Sequence, residues 1–219
     1  MAKSPVTRVS LGTKRVSSRG LVSNFVSWQV LEVQQICRSN GYVCPSVYQG
    51  MYNCLTRMVE KELFLCLRKY KMSFYCYNPL AGGILTGKHK REDRPEDCTE
   101  PGRFSGLSWG QSYRDRFWRT QYFDAIDIIE EACQKEGVLV VSAALRWVTH
   151  HSALSAENGD GIIIGSSGIE HLTANLEALQ QGPLPHSVLE AIERASDLTR
   201  GNSPDYFRNV GQRFAASYK

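Results

Sequence analysis

The chain has 219 residues, a formal charge of +4, and apolar and charged fractions of 42% and 22%, the proportions of a folded domain rather than a disordered or fibrous chain. No apolar run approaches the ~20 residues of a membrane span, so no membrane partner is expected. Residues 1–20 hold Lys3, Arg8, Lys14, Arg15 and Arg19 and no acid, which leaves 21 bases against 22 acids in the remainder; that neutral body lacks the basic face of a nucleic-acid binder.

Residues 1–19 read as a basic leader, either disordered or an import sequence. The cytoplasm is the expected compartment, with the mitochondrion as the alternative that an acid-free basic N-terminus raises. A short strand is predicted at 20–24, then a helix from Ser27 to about Asn40, with Ser27 as its N-cap and Gly41 closing it. A second strand is predicted at 45–49, opened by Pro45, and a second helix at 58–68. The third strand, 72–77, is rich in β-formers and stops at Asn78-Pro79. The glycine-bearing segment 80–87 follows.

Residues 88–121 read as one long charged loop, and a loop of that length inside a domain is usually functional. Helical spacing resumes at 122–135 and again at 142–150. The run 161–164 is a fourth strand of the continuous apolar kind that suits a parallel sheet. Gly165, Ser166 and Ser167 are expected to open a helix to about Leu179, and 185–198 forms the terminal helix. Four strand–helix units in alternation predict an α/β fold with parallel strands, half of a (β/α)8 barrel.

Seven cysteines without CxxC spacing read as free thiols rather than zinc ligands. His150 and His151 fall at a helix end and read as capping or surface residues; His89 reads as solvated. No nucleophile elbow, HExxH or P-loop occurs. The segment 165–168 is either a simple cap or an anion site built on free backbone N–H groups. The segment 78–83 is either a turn or a close approach to a diphosphate. Both follow strands, so both fall at one end of a parallel sheet, together with Ser23, Asn24 and Gln49, whose side chains suit a planar amide. Tyr77 is either a core residue or a stacking platform.

Taken in order, LVSNF (21–25), VYQGMYN (47–53), YNPLAGGILTGK (77–88), GRF (102–104), SYRDRFW (112–118), AALRW (143–147), IEHL (169–172) with Asn175, and DYFR (205–208) resemble the aflatoxin B1 aldehyde reductase branch of the aldo-keto reductases. The resemblance covers about residues 20–208 and is specific, because several long motifs recur in order. It implies a (β/α)8 fold and NADPH-dependent reduction of aldehydes and ketones, including dicarbonyls, succinic semialdehyde and the aflatoxin dialdehyde. By position it implies that Ser23, Asn24 and Gln49 hold the nicotinamide amide and that Tyr77 stacks on the ring. It places Asn78, Pro79, Leu80, Ala81, Gly82, Gly83 and Lys88 around the diphosphate, with Arg103 nearby. Ser166, Ser167, His171 and Asn175 would face the adenosine and its 2′-phosphate, and Tyr113, Arg116 and Arg208 an acidic or carbonyl substrate.

No stretch of the chain matches the family segments that carry its Asp, Tyr, Lys and His catalytic tetrad. The expectation is therefore the C-terminal half of a barrel over 20–219: a truncated reductase, inactive by itself and with no catalytic residue of its own. The alternative is a non-catalytic module that binds NADPH, or forms a homodimer or a heterodimer with a full-length relative.

Overall fold

A computed structural model describes residues 20–93, 102–105 and 109–208, with Trp109 through its backbone. The basic leader 1–19, Cys98 and most of the acidic run before it lie outside the described residues. Apolar alternation and Pro45 produce the strands β1 (Gly20–Ser23), β2 (Pro45–Met51), β3 (Ser73–Tyr77) and β4 (Gly161–Ile162). They form one sheet in the order β1-β2-β3-β4, every pair parallel. Parallel pairing requires a crossover between consecutive strands, and helices supply each one.

The crossovers are α1 (Ser27–Ser39), α2 (Leu63–Lys69), and the series α3 (Trp109–Phe117), α4 (Thr120–Lys135) and α5 (Val140–Arg146), with α6 (Ile169–Gln180) and α7 (His186–Thr199) after β4. One sheet face, carrying Val22, Tyr48, Gly50, Phe74, Cys76 and Ile162, meets the helices. Tyr48 stacks on Phe74, and Phe64 of α2 meets Phe74 edge-on. Gly50 is required in that layer, because a Cβ there would lie 2.6 Å from the Phe74 ring and 2.9 Å from Tyr48. The opposite face, with Ser23, Gln49, Tyr75 and Tyr77, is only half-covered, and Leu21 is 51% exposed.

Several predicted boundaries are corrected. The loop expected over 88–121 contains α3, and α4 begins at Thr120; the dense Arg and aromatic content masked a helix whose buried side is Tyr113 and Phe117. The helix predicted at 58–68 divides into a 3-10 turn Met58–Glu60 and α2. The helix predicted from 142 starts at Val140 and continues as a π turn, Trp147–His151. Val26, not Ser27, is the N-cap of α1, while Gln29 Oε1 accepts the Val26 N–H at 3.2 Å. The described cysteines, Cys37, Cys44, Cys54, Cys66, Cys76 and Cys133, are free thiols as expected.

Both histidines at the end of the π turn have structural roles. His151 Nε2 accepts the Leu184 N–H at 2.9 Å, and His150 Nε2 donates to the Gln181 carbonyl at 2.6 Å. Burial first, then the charges of His150 and Arg146, holds His151 below its ordinary value of 6.5. His89 is half-buried rather than fully solvated: its ring packs 5.0 Å from Phe104 and 5.2 Å from Trp118, and burial lowers it as well. Both groups bind a proton more readily in the unfolded chain. Their contribution to stability is complete above pH 6.5 and is lost as pH falls through the folded values. The urea midpoint is expected to fall between pH 7 and pH 5, and the double variant His89→Phe/His151→Gln to show a flatter profile. An unchanged slope in that variant would assign the acid sensitivity to other groups.

Candidate functional site at the carboxyl rim of the sheet

Because all strands run the same way, the segments that follow them meet at one end. The β1–α1 turn contributes Asn24, held in the left-handed region at φ 58°. Its Nδ2 donates to Ser23 Oγ at 2.9 Å, and its Oδ1 accepts the Tyr77 hydroxyl at 2.6 Å. Arg208 Nη2 donates to the same hydroxyl at 3.2 Å. Ser23 and Gln49 are paired in register, as are Gln49 and Tyr75, so these side chains emerge side by side on the half-covered face.

Beyond β3, Asn78 (φ 56°), Ala81 (49°), Gly82 (75°) and Gly83 (113°) take left-handed backbone conformations. Asn and Gly adopt this region most readily. At Gly82 a Cβ would also meet the Tyr113 ring at 2.5 Å. Tyr113 crosses from α3 to donate its hydroxyl to Asn78 Oδ1 at 3.2 Å, while Asn78 Nδ2 is buried without a partner. Pro79 is buried, and Leu80 packs against the core.

Positive groups surround Tyr113. The Arg103 and Arg116 guanidinium carbons each lie 5.5 Å from its ring centroid. Burial, then the like charge of Arg208, lowers the Arg116 guanidinium from its ordinary value. Among the described residues neither Arg116 nor Arg208 is in an ion pair with a carboxylate. Burial raises the Tyr77 phenol while the neighbouring Arg208 and Arg116 oppose that rise.

A second, exposed group lies past β4. Lys88 Nζ is 3.4 Å from His171 Nε2, and Ser167 Oγ is 3.2 Å from His171 Nδ1. Ser166 and Ser167 do not open a helix as predicted: α6 starts at Ile169 with Gly168 as its N-cap, and both serines belong to the exposed segment before it. Asn175, one turn beyond His171, is buried.

The structure thus brings Ser23, Asn24, Tyr77, Asn78, Tyr113, Arg116 and Arg208 into one cluster, and Lys88, Ser167 and His171 into another. Gln49 stands beside the first without a hydrogen bond to it. Sequence reasoning missed Asn53. Its Oδ1 accepts the Leu55 and Thr56 N–H groups at 3.0 and 2.9 Å, and its Nδ2 donates to the Asn78 carbonyl at 3.0 Å. This locks the turn after β2 to the segment after β3. Asx-turn chemistry is the signal that could have found it.

The aldo/keto reductase family model matches residues 16–197. The chain is 50% identical over 192 residues to human aflatoxin B1 aldehyde reductase member 2, an alignment covering 85% of this chain and 53% of that protein. It is 45% identical over 192 residues to human aldo-keto reductase family 7 member A3, covering 85% and 57%. Against aldo-keto reductase pigE of Monascus ruber it is 40% identical over 178 residues, covering 80% and 52%. The chain therefore spans about half the length of these relatives.

Proposed function

The chain belongs to the aldo/keto reductase family, and from that premise we propose that it carries the cofactor- and substrate-gripping rim of an NADPH-dependent reductase of aldehydes and ketones. The family fold is a (β/α)8 barrel. In this reading the sheet, parallel in sequential order and helix-covered on one face, corresponds to four of its strands. A reduced nicotinamide, when bound, supplies hydride to a carbonyl carbon.

The residues present fit that group. The buried Asn78 Nδ2 has a donor to spare, and a Cβ at Gly83 would meet nothing within 4 Å, which leaves room for a phosphate against the backbone. Ser23, Asn24 and Gln49 hold the carboxamide, and Tyr77 offers its ring. The segment 78–88 holds the diphosphate, with Arg103 near it. Lys88, Ser166, Ser167, His171 and Asn175 face the adenosine end. Lys88 beside His171 favours a 2′-phosphate, since the ammonium group supplies positive charge and among the described residues no carboxylate is paired with it.

The observation that carries the substrate reading is the convergence of Arg116 and Arg208 beside Tyr77 and Tyr113, half-buried and, among the described residues, in no ion pair with a carboxylate. Two like charges held together out of water are costly unless an anion joins them. A carbonyl compound bearing a carboxylate, of the succinic semialdehyde kind, meets that requirement, and an Arg can bind it bidentately.

Tryptophan fluorescence titration tests the cofactor reading. NADPH is expected to quench more tightly than NADH. Lys88→Ala is expected to remove about tenfold of that preference, the scale of one charge-assisted hydrogen bond. Absence of quenching with either nucleotide would overturn it.

A second reading follows from the half-covered sheet face with Leu21 exposed and from the outer strands β1 and β4, each paired on one side among the described residues. Open edges and apolar faces invite association. In that reading the chain is a non-catalytic module that binds NADPH and pairs with a second copy or with a full-length relative. Light scattering on a sizing column separates monomer from dimer.

A further inference from the structure

The segment 203–208 has no regular structure, yet it delivers Arg208 to the rim. It begins after the 3-10 turn Arg200–Asn202 and is fixed at three points. Ser203 Oγ donates to the Leu55 carbonyl at 3.1 Å, on the turn after β2. The buried Tyr206 accepts the Ser27 N–H on its hydroxyl at 3.3 Å and donates to Glu62 Oε1 at the N-cap of α2. Ser27 Oγ completes the bridge by donating to the other Glu62 oxygen at 2.5 Å. The Arg208 N–H then donates to the Asn24 carbonyl at 3.0 Å. Asn24 is the residue whose side chain accepts the Tyr77 hydroxyl.

We propose that the Tyr206–Glu62–Ser27 bridge positions Arg208 for an anionic substrate, making Tyr206 and Glu62 determinants of carboxylate specificity that never touch the ligand. The inference rests on the reading of Arg208 as an anion contact. Its physical basis is leverage. Arg208 is two residues from Tyr206, a span of about 7 Å of extended chain, and a long side chain aims reproducibly only from a fixed backbone. Ser27 and Asn24 both belong to the β1–α1 connection, so the bridge sets the tail against the same segment that holds Tyr77. Glu62 brings in α2 as a third support, and its carboxylate accepts from both hydroxyls at once.

Neither Tyr206 nor Glu62 would be chosen for chemistry from its own surroundings. Burial, then the hydrogen bond to Glu62, pushes the Tyr206 phenol up to about 12, so it stays a donor throughout the neutral range. Phe207 packs edge-on to the Tyr206 ring at 5.2 Å. A Tyr206→Phe variant therefore keeps the aromatic contact and loses only the bridge.

The test uses the full chain with NADPH present and succinate as an unreactive dicarboxylate probe, titrated calorimetrically. Tyr206→Phe is expected to raise the succinate Kd about tenfold and to leave the NADPH Kd unchanged. Hydrogen exchange of the Arg208 amide should quicken in the same variant. Glu62→Gln, which retains an acceptor for the phenol, should lose less than Glu62→Leu. Arg208→Leu should weaken succinate at least as much, and adding Tyr206→Phe to it should cost nothing further. If Arg208→Leu weakens succinate but Tyr206→Phe changes neither its affinity nor Arg208 exchange, the bridge is not a positioning device and the anion reading survives. Equal loss of NADPH in Tyr206→Phe would also reject the bridge, as general damage. No succinate binding by the parent chain, or no effect of Arg208→Leu, removes both.

Discussion

Replacing Asp160 by Asn is expected to destabilise the chain by about 3–5 kcal/mol, the scale for leaving a buried charge without its partner. The Asp160 side chain is fully buried and accepts four hydrogen bonds. Arg68 Nη1 and Nη2 donate at 3.0 and 2.6 Å, and the Phe74 and Ser155 N–H groups at 2.8 and 2.9 Å. All four partners are donors, so an amide must point its own NH2 at one of them. Arg68 comes from α2, Phe74 from β3, and Asp160 immediately precedes β4, so the carboxylate ties the start of two adjacent strands to a helix. A chain of this size loses about 2–4 °C of Tm per kcal/mol, which places the expected fall at roughly 6–20 °C. Urea unfolding measures it. The pair replaced together by apolar residues, Arg68→Met with Asp160→Leu, should recover part of the loss. A cost below about 1 kcal/mol for Asp160→Asn would mean that solvent reaches the site.

With NADPH and succinic semialdehyde, or with 4-nitrobenzaldehyde, the purified chain is expected to oxidise no NADPH above the blank. Hydride addition leaves an alkoxide that must be protonated as it forms, and a placed general acid is worth about 10²–10⁴ in rate. Among the described residues no lysine is hydrogen-bonded to a tyrosine; Lys88 meets His171 and Lys135 meets Glu131. Tyr77 is the phenol to which Arg208 donates. Burial raises it, and its proton is already given to Asn24, so it is a poor donor to an alkoxide. Binding without turnover is thus the expected combination. Turnover that persists on purification and disappears in Tyr77→Phe would refute this and make Tyr77 the acid.

Much of this was legible in residue order. Four apolar runs separated by helical spacing predicted the parallel sheet, and the endings Ser23-Asn24, Tyr77-Asn78 and Ser166-Ser167 fell where the chain leaves the strands. Local chemistry was less so. Residues 109–117 fall in a long, charged, glycine-containing stretch that reads as loop, yet burial of Tyr113 and Phe117 outweighs weak helix propensity. His89, next to Lys88, reads as solvated, yet the rings of Phe104 and Trp118 half-bury it.

What the sequence alone determined is the set of segments and the end of the sheet at which their polar residues gather. Periodicity and turn residues act over a few positions, and parallel strands place every such exit on one rim. What only the tertiary structure decided is which of those residues meet. That Arg208 reaches Tyr77 across 131 positions, that Asn53 braces Asn78, and that Asp160 holds Arg68 depend on crossover lengths and packing. Those contacts join groups whose separation along the chain carries no periodic signal, so no local pattern encodes them.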